Sequence, residues 1–370
     1  MKGAAMNNSS NKTLKKEINI TELLYDFIFS FAFCNIFNII LGNYNSSLGF
    51  NFFLSFLFIF IIFVNTWNIE MIHINRYGKN SLFNIVFMII QICVLIITLN
   101  NIDTYHWDIL YKNLILYLTV LSFILTVQHT IQYFIVTDLI EKKITEPFIY
   151  ILGGRTFGLF LGIILPQPYS LLFIMIGFFT SWLLPSFISR SLHAKTIIFS
   201  HVVKRCFIFT TGLFSSIIIN NFITTVPKNW FIIFVNIALL YLFYQINIER
   251  FIDFSLTNQS GNSYLYHNYF IILGLCIINF TLPKLTENKL FLLFITGVFF
   301  FLIGNLWQNQ YNKKGYKYSK YFFAIIFLIF LLGSLLSIIL NYSLIVILLT
   351  IIFILLSYFI FNIKRTNPKL

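Results

Sequence analysis

Twelve runs of predominantly apolar residues, joined by short polar connections, constrain this chain more than any motif within it. A helix needs about 20 such residues to cross the hydrocarbon of a bilayer. Inside hydrocarbon the backbone must satisfy its own hydrogen bonds, which limits spanning structures to helices and closed barrels. The runs are Ile20–Leu41, Phe50–Ile69, Leu82–Leu99, Leu114–Val136, Pro147–Leu165, Tyr169–Ile188, His201–Asn221, Trp230–Ile248, Tyr269–Leu282, Leu290–Trp307, Tyr321–Leu340 and Ser343–Phe361. They predict an all-α, polytopic transmembrane helix bundle of about twelve helices, the short ninth extending back towards Tyr264. Composition agrees: 58% of the 370 residues are hydrophobic and 10% charged, with a mean hydropathy of +0.84, whereas a soluble domain carries roughly 25% charged residues.

The net charge of +13 raises the question of a nucleic-acid partner, but such a partner needs basic residues gathered on one soluble face. Here they sit in short blocks between apolar runs, so the expected partner is the lipid bilayer and not nucleic acid. If the N-terminus is cytoplasmic, twenty of the 25 Lys and Arg residues fall in cytoplasmic segments and four on the opposite side, with Arg155 left inside the fifth helix. Lys and Arg in short loops hold those loops in the cytoplasm, so both termini are expected there. One transmembrane domain, 18–362, is then flanked by a polar tail, 1–17, without a cleavable signal pattern, and by a basic tail, 363–370. The longest connection, Glu249 to Asn268, contains Asn258 to Ser263, a flexible polar linker by composition. Cys34, Cys93, Cys206 and Cys276 all fall in apolar segments with no CxxC pair, which argues for buried small hydrophobes over disulfides or zinc.

Ionisable residues inside hydrocarbon are costly enough to count as functional candidates by default. In the expected orientation nearly all of them lie in the cytoplasmic half. Glu22 and Asp26 open the first helix, and with Ser30 they follow i, i+4, i+8 spacing, which keeps them within about 80° of one face. Asn65, Trp67 and Asn68 approach the same side in the second helix, and His129 with Gln128 and Gln132 does so in the fourth. Arg155 lies 8 residues beyond Pro147, roughly 12 Å into the membrane. His201 and Arg205 open the seventh helix. Either Arg155 or Arg205 is therefore expected to neutralise Asp26 in a cavity open to the cytoplasm, because unpaired buried charge is expensive. For Glu22 the alternative is a headgroup-level acid favoured by the helix dipole. For His129, which has no second ligand at i+3 or i+4, a hydrogen-bonded interface histidine is favoured over metal binding or proton relay. Gly154, Gly158 and Gly162 read as a packing face. No phosphate-binding loop, His-Glu-x-x-His or Gly-x-Ser-x-Gly motif occurs, so neither an enzyme nor a cofactor or metal site is expected.

Glu22-Leu23-Leu24-Tyr25-Asp26-Phe27-Ile28-Phe29 resembles the Glu-Leu-Phe-Phe-Asp-Leu-Val-Phe opening of the bacterial low temperature requirement protein A (LtrA) family. Asn65-Thr66-Trp67, Gln128-His129, His201 to Phe209 and Tyr266-His267 resemble later parts of the family pattern in order. The chain departs from it at Lys204, where the family usually has Glu, at Ser215-Ser216 in place of Gly-Glu, and at Gln245 in place of Asp. With acids missing there, Glu22 and Asp26 are expected to be the only carboxylates of the site. The resemblance implies a bacterial inner-membrane protein linked to growth in the cold, of poorly defined molecular activity. Helices one and seven both open on charged residues followed by aromatic-rich turns, which suggests a six-plus-six repeat.

Two functions from different classes follow. One is transport or gating of a small solute or ion through a cytoplasm-facing polar vestibule lined by Glu22, Asp26, His129, Arg155, His201 and Arg205. The other is a non-transporting membrane factor that senses or stabilises lipid or a partner in the cold. A lipid-modifying membrane enzyme is a weaker third.

Overall fold

The computed structural model of the protein describes residues 16–43, 49–78, 81–102, 107–166, 169–191, 197–223, 229–256, 261–285, 287–341 and 343–366. Among them are twelve long α-helices: α1 (Ile20–Gly42), α2 (Gly49–Tyr77), α3 (Leu82–Asn101), α4 (Trp107–Ile135), α5 (Leu139–Ile164), α6 (Tyr169–Ser191), α7 (Phe199–Ile218), α8 (Trp230–Ile246), α9 (Gly261–Thr281), α10 (Asn288–Trp307), α11 (Lys320–Ile339) and α12 (Leu344–Thr366). Ten are long and apolar enough to cross a membrane, and the apolar stretches Tyr169–Trp182 of α6 and Leu344–Tyr358 of α12 complete the set. The protein is an all-α polytopic membrane bundle.

Each expected helix is present, and four extend at one end seven or eight residues beyond what hydropathy alone indicates. α2 runs eight residues past Ile69, to Tyr77. Its last turns look like a loop by composition, yet Glu70, His73 and Asn75 are all buried against neighbouring helices. α4 starts at Trp107 and not Leu114. α5 starts at Leu139, where the Asp138 carboxylate accepts from the Ile140 N–H, and carries Pro147 within it. α9 starts at Gly261 and not Tyr269, so Gly261 to Ser263 of the expected linker are helical, while 257–260 lie outside the described residues. Most of the expected tails, 1–15 and 367–370, lie outside them too.

Contacts between helices recur six helices apart. α1 packs along α3 and α7 along α9; α2 meets α6 and α8 meets α12; α5 lies along α6 and α11 along α12. The recurrence is partial, since α4 packs closely along α5 whereas α10 packs chiefly along α9. At the centre α1 lies against α7, and Phe33, Phe37, Phe60, Phe63 and Phe209 build an aromatic core beside that seam. On the outside, α11 presents Leu328, Leu331, Leu332 and Leu335 outward, as lipid contact requires.

Small residues set the closest approaches. At Gly158 an added Cβ would stand 2.8 Å from the Phe173 carbonyl oxygen and 3.1 Å from the Gly177 backbone, and Gly162 is similarly crowded by Ile174 and Ser170. Gly154, grouped with them by spacing, is exposed and faces nothing within 4 Å. The α5 packing face is therefore narrower than its spacing suggests. Cys34, Cys206 and Cys276 are buried, but Cys93 is exposed on α3. We expect Gly158→Leu to lower the thermal midpoint in detergent, by roughly 1–3 kcal/mol of overpacking, while Gly154→Leu leaves it unchanged.

Candidate functional site

The polar residues of α1 and α7 form two rungs between parallel helices. Glu22 and Asp26 are one turn apart on α1; His201 and Arg205 are one turn apart on α7. His201 Nε2 meets Glu22 Oε2 at 2.8 Å. Arg205 grips Asp26 with one edge of its guanidinium, Nε donating to Oδ2 at 2.8 Å and Nη2 to Oδ1 at 2.6 Å. Rungs in the same order along both helices require the helices to run the same way. Two turns on from Arg205, Gly212 lets the helices stay close, since a Cβ there would fall 2.0 Å from Ser30 Oγ. Asp26 and Arg205 are fully buried, and this charge-assisted bidentate geometry is the strong form of the pair.

α2 closes the third side. Trp67 Nε1 donates to Asp26 Oδ1 at 2.8 Å. Asn75 is oriented by the backbone of Ile198, accepting from its N–H and donating to its carbonyl, each at 3.0 Å. Its Nδ2 then faces His201 Nδ1 at 3.1 Å, so Nδ1 must be an acceptor. His201 is consequently the neutral tautomer that donates through Nε2 to Glu22. Lys16 sits over the end of this cluster with its Nζ on the Ile74 carbonyl; burial pushes its ammonium below its ordinary pKa, opposed by the nearby Glu22 carboxylate.

A second group surrounds Glu70, which composition gave no reason to place in the membrane. Gln91 Nε2 donates to its Oε2 at 2.9 Å and Gln128 Nε2 to its Oε1 at 3.1 Å, while Tyr25 O–H donates to Gln91 Oε1 at 2.7 Å. Glu22 and Asp26 are thus not the only carboxylates: Glu70, fully buried, is a third, held by neutral amides on α3 and α4. Following α2 past its apolar window would have found it, because Trp67, Glu70 and His73 recur every three residues.

The remaining expected residues separate from the α1–α7 rungs. Arg155 does not reach Asp26; its Nη1 donates to Asn65 Oδ1 at 3.0 Å, beside the Asn68 to Tyr269 hydrogen bond of 3.3 Å. Depth along the helix is similar for the two arginines, but Arg155 faces α2 from the α5 side. His129 bonds through Nδ1 to the Leu125 carbonyl of its own helix at 2.9 Å, with its ring 4.6 Å from His73 and 6.0 Å from Phe148. Among the described residues no three His, Cys, Asp or Glu side chains converge as metal ligands would.

The family model for bacterial low temperature requirement A protein (LtrA) matches residues 17–356. The chain belongs to the LtrA family. Neither a curated protein nor a solved structure matches it. Within this LtrA chain, Glu22 and Asp26 of the opening motif meet His201 and Arg205 of the α7 motif directly. The departures lie elsewhere. Lys204 is exposed on the other side of α7, Gln245 pairs with Glu249 at 3.2 Å, and Ser216 bonds to the Gly212 carbonyl of its own helix. None of these three takes part in the Glu22, Asp26, His201 and Arg205 cluster.

Proposed function

We propose that this LtrA protein moves or gates a small solute or ion through the polar layer shared by α1, α2, α4, α5 and α7, with Glu22, Asp26, His129, Arg155, His201 and Arg205 in that layer. The observation that carries this reading is unmatched hydrogen-bonding capacity on buried ionisable groups. Among the described residues Arg155 Nε and Nη2 have no hydrogen-bond partner, and Arg205 Nη1 has only the Glu22 carboxylate, at 3.9 Å. Residues that only lock helices together leave few such atoms, because each is costly. The role is one of binding and passage and not of catalysis. The uneven distribution of Lys and Arg supports a layer open towards the cytoplasm in an inner-membrane protein.

A second reading, a non-transporting membrane factor active in the cold, draws support from the completeness of the Asp26 pair, which ties α1, α2 and α7 together as a purely structural element would.

Flux measurements separate the two. Asp26→Asn alone strands Arg205 and confounds folding with function, so the neutral pair Asp26→Asn with Arg205→Gln is the informative variant. In proteoliposomes under an imposed membrane potential, the wild-type protein should carry current or take up members of a panel of labelled small solutes. The folded double variant should fall to the level of empty vesicles. Wild-type vesicles indistinguishable from empty ones would favour the structural factor. For orientation, alkaline phosphatase fused after Thr366 should remain inactive; an active fusion would reverse the assignment.

A further inference from the structure

The two buried arginines of the polar layer present the same chemical edge to different surroundings. In Arg205 the Nε and Nη2 edge holds the Asp26 carboxylate, at 2.8 and 2.6 Å. In Arg155 the same two atoms are buried and have no hydrogen-bond partner among the described residues, while Nη1 donates to the neutral Asn65. Arg155 is completely buried, and among the described residues no carboxylate lies within salt-bridge distance of it. Its backbone is fixed by α6, where a Cβ on Gly177 would come within 3.1 Å of the Arg155 carbonyl oxygen. The hydrogen bond to Asn65 turns the side chain towards α2.

A guanidinium is charged at every accessible pH, so unlike Lys or His it cannot escape an apolar site by losing its proton. A buried charge without a partner is strongly unfavourable. The Nε and Nη2 donors are parallel and matched in spacing to two oxygens sharing one planar carbon or nitrogen. Spherical anions satisfy the charge but not the fork.

We propose that the Nε and Nη2 edge of Arg155 is a binding site for the carboxylate, or equivalent planar oxyanion, of a small anionic solute. The proposal names the substrate class for the transport reading and rests on that reading for its use in passage; binding itself is independent of flux. Asn65 orients the guanidinium through Nη1, and Asn68 and Tyr269 line the neighbouring wall. Because Arg155 is fully covered, capture and release of the anion require α5 and α2 to move relative to each other.

The test uses the full chain in detergent, with acetate and nitrate as planar probes and chloride as the spherical control at constant ionic strength. A ligand that binds only the folded protein raises the thermal midpoint with its concentration. In the wild-type protein, acetate and nitrate should raise the midpoint above the chloride value, and the rise should saturate. Arg155→Gln, which removes the buried charge, should fold and lose the acetate-specific rise; Arg155→Lys should retain charge but show a smaller rise. Should Arg155→Gln fail to fold, Asn65→Leu, which leaves the arginine without its orienting acceptor, should weaken the acetate rise. No difference between acetate and chloride in the wild-type protein, or a difference that survives Arg155→Gln, would overturn the proposal. An acetate-specific rise with no flux in vesicles would uphold this site and remove the transport reading; flux unaffected by Arg155→Gln, without any acetate effect, would do the reverse.

Discussion

Burying an ionised carboxylate is costly unless a cation and further donors meet it, and the way Asp26 is met organises the centre of this protein. Asp26 is satisfied by both atoms of one Arg205 edge and by Trp67. The consecutive helices α1 and α2 and the distant α7 must come together to supply those groups. The pair also fixes the relative translation of α1 and α7, since a shift of one turn would break both hydrogen bonds between Arg205 and Asp26. Removing one member of such a buried pair leaves an uncompensated charge and costs about 3–5 kcal/mol. No comparable penalty attaches to the aromatic contacts around it, which are numerous but individually replaceable.

Beside that pair the layer contains buried ionisable groups that meet neutral amides. Glu70 is held by two glutamine amides on α3 and α4, and Arg155 by one asparagine on α2. Neutral amides satisfy hydrogen-bonding geometry without cancelling charge. The contrast separates one pair in which carboxylate and guanidinium meet directly from ionisable groups that, among the described residues, are met by neutral amides. A bundle with only the first kind would be a scaffold. Arg155 differs from Arg205 in this respect although both are entirely buried.

Much of this was legible in the sequence, for definite physical reasons. Helix number follows from the length of hydrocarbon to be crossed, so twelve apolar runs give twelve helices. Glu22 with Asp26, and His201 with Arg205, stand out because i, i+4 spacing on an apolar helix leaves them one face. The partner of Asp26 was open between Arg155 and Arg205 because depth along a helix says nothing about which way the side chain points. Glu70 and His73 were missed because a hydropathy window ends where polar residues cluster, while the same residues prolong α2 once glutamines on α3 and α4 and a histidine on α4 are there to meet them. The Gly154, Gly158, Gly162 series was partly misleading for a related reason: spacing defines a face, and only the neighbouring helix decides how much of that face is used.

The most direct measurement is a double-mutant cycle at the central pair, read as unfolding stability in detergent for Asp26→Asn, Arg205→Gln and the two together. If the buried pair fixes α1 against α7, each single variant is strongly destabilised and the double variant loses much less than their sum, because neither charge is left alone. Additive losses, or single variants as stable as the wild-type protein, would contradict it.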